Sequence, residues 1–321
     1  MKKFFLLLCL FAAAFLGAQE KLTVYTLKGP SGVGMVQLFE KPPTIRGFTV
    51  NIEALSDSQL MAARLISGEA KIGILPPNVA AKIASGGQPL QIAAITGEGM
   101  LSLLSSDPKI KVIKDLKGKE VSIAGQGAVP EFVFRKVLSS NNLNPDKDVK
   151  MNFSLAYPEI AQSLIAGRIK TAIIPEPFAV MALQGNEKLK NIGNIQEEWA
   201  KSKGLAGSAE NAGNYPITVL VVNSDFAKKN PAVVSAVAKS VKESITWVKA
   251  NPKEAAAAVE KSGLGIKAAV VEASIPRSAY CYIDAITGRT QLEALFKTFL
   301  EYAPASIGGK LPSDNFYLKI Q

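Results

Sequence analysis

The chain has 321 residues, of which 48% are apolar and 20% charged. That length suits two domains of ordinary globular make-up with ample core material. The formal charge is +10, but the basic residues are scattered among acids, and no basic stripe interleaved with aromatics is present, which excludes the usual nucleic-acid-binding pattern.

Met1 to Ala18 combine two lysines, a short apolar run and small residues before Gln19. This reads as a secretory signal peptide cleaved after Ala18. Its apolar run falls short of the roughly 20 residues of a membrane span. Removing Lys2 and Lys3 leaves a charge of 10 − 2 = +8. Cys9 would leave as well, and Leu6, Leu7 and Leu8 before it do not suit a lipid-modified cysteine. Cys281 is then alone, so no internal disulfide forms. Export without disulfides points to a bacterial periplasm.

Leu22 to Phe39 gives a strand, a glycine turn (Gly29, Pro30, Ser31, Gly32) and a helix to about Glu40, closed by Pro42 and Pro43. Thr49–Ala54 alternates as a strand, and Ser58–Ser67 places Leu60, Met61, Leu65 and Ile66 at helical spacing. Lys71–Leu75 reads as a buried strand ending at Pro76-Pro77-Asn78, followed by a helix over Val79–Ser85. Leu90–Ile95 is a strand. TGEGMLSLLSS after it is a strand candidate broken by glycine, and the crossing into a second lobe is placed near Leu103 to Asp107.

The second lobe repeats the device. Val121 to Leu138 reads strand, glycine turn (Gly125, Gln126, Gly127), then a helix opened by Pro130 and Glu131. Proline and an acid suit a first helical turn, and the turn's free amides make a cradle for a ligand oxygen. A strand is expected at Asn152–Leu155, a helix at Tyr157–Ile165, and a rigid corner at Pro175-Glu176-Pro177. Ala62–Gly87 aligns without gaps on Ala161–Asn186, pairing Gly68 with Gly167 and Ile74 with Ile173. One repeat pair is too few for a solenoid and points to two similar α/β lobes.

Gln184–Gly213 is polar and glycine-rich, with Trp199 as its buried anchor. Tyr215–Ser224 is a continuous apolar strand, taken as the return crossing. Helices punctuated by Pro231 and Pro252 follow, and the tail LPSDNFYLKI packs on lobe one. Lobe one is thus residues 19–104 and 220–321, with lobe two, 105–219, inserted.

The order of motifs resembles a known family. The signal peptide, GPSG, LISGEAKIGILPP, DLKGKEVSIAGQGAVPEFVFRKVL, LIAGRIKTAIIPEPFA and YPITVLVVNSDFAKKNP look like the periplasmic substrate-binding proteins of bacterial ABC importers. The nearest branch is the nitrate/sulfonate/taurine and thiamine-precursor type. The resemblance covers nearly the whole mature chain. It implies an α/β, two-lobed type II binding-protein fold, each lobe a mixed sheet flanked by helices, with lobe one discontinuous. It also implies capture of a small polar or anionic molecule between the lobes, and delivery to a permease and ATPase complex in the inner membrane by a monomer.

On this resemblance the ligand loops fall at Gly29-Pro30-Ser31-Gly32, Pro77-Asn78, Gly125-Gln126-Gly127-Ala128 and Glu176. Lys28 is a candidate partner for an anion. Tyr25, Tyr157, Phe178 and Tyr215 are candidates to stack on a ring. No arginine or tryptophan stands in these loops, so the ligand class stays open between sulfonate, small anion, pyrimidine and flavin. An enzyme on the same fold, of pyrimidine- or menaquinone-pathway type, is the alternative. The chain has no histidine, and no catalytic residue, metal or cofactor is assigned.

Overall fold

The computed structural model describes residues 19–202 and 214–320. The expected signal peptide and residues 203–213 of the polar segment lie outside them. In chain order the strands are β1 (Glu20–Leu27), β2 (Phe48–Leu55), β3 (Ile72–Leu75), β4 (Leu90–Glu98), β5 (Leu101–Ser105), β6 (Lys119–Ile123), β7 (Val149–Asn152), β8 (Thr171–Pro175), β9 (Lys190–Asn194), β10 (Pro216–Asn223) and β11 (Tyr280–Asp284). They build two mixed sheets, ordered β11-β4-β10-β3-β1-β2 and β7-β6-β8-β5-β9.

The two sheets share a plan. β1 lies parallel between β2 and β3, and β6 lies parallel between β7 and β8. Beside β3 and β8 comes an antiparallel strand, β10 and β5 respectively. A strand antiparallel to β10 and β5 follows in turn, β4 and β9 respectively. The aligned pair Ile74 and Ile173 holds one place in this plan: Ile74 faces Leu220 and Ile173 faces Leu103. β3 and β8 are buried along their whole length, which is why they read as unbroken apolar runs.

The chain changes sheet earlier than expected. All of β5 pairs in the second sheet, so the change falls at Gly99–Met100 rather than near Leu103 to Asp107. All of β10 pairs in the first sheet, so the return comes at Tyr215. The glycine in TGEGMLSLLSS is therefore a junction between two strands. The Gly99 amide donates to the Tyr215 carbonyl at 2.9 Å. A Cβ at Gly99 would come within 2.5 Å of the Tyr215 ring, so the crossing strands meet only because this residue is glycine.

Three other elements differ from expectation for local reasons. β7 ends at Asn152, whose side-chain oxygen accepts the Ser154 amide at 3.0 Å and turns the chain. β9 is an edge strand with Gly193 and no buried residue, so its sequence lacks a strand signature. β11 was not expected; it extends the first sheet from β4. Trp199 is fully buried, in the helix Ile195–Ala200.

The helix Pro231–Ala250 buries Val233, Val237, Val241, Ile245 and Val248 at helical spacing against the first sheet and its early helices. The helix Arg289–Tyr302 packs on the helix Val129–Ser140 of the second lobe, with the Phe299 and Phe132 rings 4.9 Å apart. Lys136 and Glu301 meet beside them at 2.8 Å. The tail docks on the first sheet, where the Leu318 amide donates to the Ile92 carbonyl at 2.8 Å. Among the described residues no helix is long and apolar enough to cross a membrane.

Candidate functional site

Parallel strands gather their carboxyl ends on one side, where the chain turns into helix starts. β1 ends at Leu27 and β6 at Ile123. The loops that follow, Lys28-Gly29 and Ala124-Gly125, line opposite walls of one cleft of about 890 Å³. That volume is usual for a small-molecule site. The first lobe also contributes Ser56 and Asp57 after β2, Pro76 after β3, and Leu264, Gly265 and Ile266. The second lobe contributes Phe153, Leu155, Tyr157, Phe178 and Met181. The Tyr157 and Phe178 rings lie nearly parallel, 17° apart, with centroids 6.2 Å apart. Burial pushes the Tyr157 phenol well above its ordinary range, so it stays a neutral donor.

The residues singled out from the sequence fall in several places. Lys28, Gly29 and Gly125 line the cleft, as do Tyr157 and Phe178. Pro30 and Ser31 face an enclosed void of about 10 Å³, shared with Thr96, Thr218 and Tyr280. Gly32 serves packing: a Cβ there would stand 2.7 Å from the Leu264 side chain and 2.9 Å from the Leu27 carbonyl. Pro77 is buried in the first turn of the helix Pro77–Ser85. Asn78 is buried, and its amide donates across the lobes to the Gly127 carbonyl at 3.2 Å. Asn78 and Gly127 line a separate groove. Gln126 is exposed at the tip of the glycine turn. Ala128 is the N-cap of the helix Val129–Ser140, and its amide donates to the Gly125 carbonyl at 3.0 Å.

Glu176 and Tyr215 lie off the cleft. The Glu176 carboxylate is buried and accepts the Arg277 Nε at 2.6 Å and the Val180 amide at 3.1 Å. Burial raises its pKa above the ordinary carboxylate value, opposed by Arg277. Its partner is thus an arginine of the other lobe. Tyr215 is fully buried, with its ring edge-on to Trp199 at 5.6 Å. Tyr25 is buried as well, under the Arg64 guanidinium at 5.0 Å.

Three helix starts of the two lobes are met by the chain's own acids, whereas the helix Pro30–Gly34, which follows the cleft-lining Gly29, has no acid in its first turn and no side-chain cap. Asp57 caps the helix Ser58–Ile66, accepting the Gln59 and Leu60 amides at 2.9 Å each. The Leu60 amide above all, then the Ser56 hydroxyl, holds its carboxyl below the usual value. Glu131 reaches back to accept the Gly127 amide at 2.7 Å. This is the amide of the glycine turn that the sequence assigns to a ligand oxygen. Glu159 accepts the Ala156 amide at 2.9 Å, closing the helix Tyr157–Ile165. Asp57 and Leu264–Ile266 were not foreseen as site residues, although a serine-flanked acid before a helical pattern is a legible cap.

A family model described as NMT1/THI5 like matches residues 45–255. A Bacillus subtilis (strain 168) protein whose name calls it a binding protein, YtlA, is 26% identical over 163 residues. The match covers 50% of this chain and 45% of that protein, so the chain spans under half the length of the relative it matches. Among solved structures, an ABC transporter from Parabacteroides distasonis superposes with a TM-score of 0.79 at 24% identity, covering 94% of this chain and 100% of that one. The periplasmic aliphatic sulphonate binding protein SsuA from Escherichia coli gives 0.70 at 16% identity, covering 95% and 94%. These likenesses establish the fold, two mixed sheets in two lobes with the first lobe discontinuous.

Proposed function

The chain belongs to the NMT1/THI5-like family, and we propose that it is an extracytoplasmic solute-binding protein of an ABC importer. It captures a small molecule between its lobes and hands it to a permease and ATPase complex in the inner membrane. The carrying observation is the opposition of strand ends: the loops after β1 and β6 line the two walls of one gap of ligand size. Closure of such lobes on a solute is the motion the fold provides. The reading includes export by a cleavable signal peptide, a periplasmic location and a monomeric state. The reading assigns the chain no catalytic role; among the described residues the titratable groups lining the cleft are Lys28, Asp57 and Tyr157.

The test begins with purified protein denatured to release whatever it carries, with the released molecule identified by mass spectrometry. That molecule added back should raise the melting temperature of the stripped protein. Tyr157→Ala and Phe178→Ala should each abolish the rise while the unliganded protein still melts cooperatively. A rise that survives both substitutions, or chemical turnover of the added molecule, would overturn the reading.

A further inference from the structure

Resting on that reading, in which the lobes open and close on a solute, we propose that closing takes up protons at the hinge, so that acid favours the closed form and alkali the open one. Two buried carboxylates flank the strand crossing, one in each lobe. Glu98 is the last residue of β4, directly before Gly99. Its carboxylate accepts the Asn214 side-chain amide at 2.9 Å and the Gln291 side-chain amide at 3.0 Å. Asn214 directly precedes the return crossing at Tyr215. Its own side-chain oxygen accepts from Gln196, in the second lobe's helix Ile195–Ala200. Glu176 follows β8, and its amide donates to the carbonyl of Met100, on the outgoing crossing, at 3.2 Å. Its carboxylate is met by Arg277 of the first lobe at 2.6 Å.

Each carboxylate thus sits in one lobe under a partner from the other. Opening by rotation about the crossings draws Asn214 and Gln196 off Glu98, and Glu176 off Arg277, and lets water reach both acids. Closing buries them again, and burial disfavours the charged form of a carboxyl. Compensation is thin. The groups that hold the Glu98 carboxylate are neutral amides. The charged or titratable groups facing it are Lys249 of the helix Pro231–Ala250, itself exposed, and the Cys281 thiol of β11. Facing Glu176 are Arg277 and the Tyr280 phenol of β11. Burial raises both carboxyls above the ordinary value, opposed at Glu98 by Asn214, Gln291 and Lys249, and at Glu176 by Arg277. By linkage, a carboxyl raised on closing favours the closed form fully below its open-state pKa, and that advantage is lost as pH rises through the closed-state pKa.

Fluorophores on Ala63→Cys and Ala166→Cys, exposed positions of the first and second lobes, report lobe separation in the solute-free protein by energy transfer. Cys281 should stay unlabelled, since burial suppresses its thiolate. The ratio of closed to open protein should rise at least about threefold from pH 8 to pH 5. Glu98→Gln and Glu176→Gln should each flatten part of that change, and the double variant should show none. A ratio that ignores pH in the parent, that falls in acid, or that keeps its trend in the double variant would each overturn the proposal. The parent titration decides even where a variant fails to fold. The released molecule judges the solute-binding reading separately: a protein stabilised by that molecule, with a lobe separation that ignores pH, would sink this inference and leave that reading standing.

Discussion

Arg277→Ala tests how the lobes are held. Glu176 is almost fully shielded, its side chain 2% exposed, whereas Arg277 is 39% exposed. Removing the arginine leaves a buried carboxylate with the Val180 amide as its remaining partner. Losing one partner of a buried pair costs about 3–5 kcal/mol, and the exposed flank of Arg277 argues for the lower end, about 3 kcal/mol. For a chain of this size that lowers the melting temperature by roughly 5 °C. The pH dependence fixes the cause. The folded-state pKa of Glu176 is already raised by burial, and losing Arg277 raises it further. A carboxyl raised on folding favours the folded state fully below its unfolded pKa, and that advantage is lost as pH rises through the folded pKa. The deficit of Arg277→Ala relative to the parent should therefore be largest near pH 8 and shrink toward pH 5. Thermal melts across that range read it directly. Adding Glu176→Gln should restore much of the loss, since a neutral amide can still accept from Val180. A variant that melts with the parent at pH 8, or a deficit that does not change with pH, would refute the reasoning.

Gly99→Ala should destabilise by about 1–3 kcal/mol, because the new methyl meets the Gln196 side-chain oxygen and then the Tyr215 ring at the crossing; a melt unchanged from the parent would show that these neighbours part freely. Cys281 should resist alkylation in the native protein at mildly alkaline pH, since burial first and Glu98 second push its thiol well above the ordinary value. Peptide mass spectrometry after iodoacetamide reads this, and the thiol should label fully only once the chain is unfolded.

The framework was legible because the two halves were encoded alike. LISGEAKIGILPP and LIAGRIKTAIIPEP lead into β3 and β8, and burial on both faces gives both the same unbroken apolar pattern. β9 and β11 were not legible: one is an exposed edge strand with glycine, the other short and half-buried at the far edge of the first sheet. The cleft was legible only where the backbone made it. Gly29 and Gly125, at φ 103° and 81°, mark turns that glycine alone enters without strain, and both line the cleft. Side-chain roles were harder to read. Glu176 in a Pro-Glu-Pro corner reads as a poised ligand, and nothing near it in sequence announces Arg277, which arrives from 101 positions away. Phe153 and Leu155 fall in the strand expected at Asn152–Leu155 and instead line the cleft, because Asn152 ends the strand first.

The exchange of strands explains why the glycine turns and the carboxylates must be read together. Each sheet borrows its fourth strand from the other half: β10 enters the first sheet directly after the chain leaves the second lobe, and β5 the reverse. The strand neighbouring β3 or β8 is therefore antiparallel and carries the chain between lobes, while the parallel trio beside it keeps its carboxyl ends toward the gap. Three strand ends per lobe then deliver their loops to one place, and helices starting there aim positive ends at it. A cleft made this way attracts anions by default. In this chain Asp57, Glu131 and Glu159 each accept an amide at one of three helix starts, whereas the helix Pro30–Gly34 after Gly29 has no acid in its first turn. The shared strand plan thus brings the loops to the gap, and capping acids set the local charge at three of the helix starts.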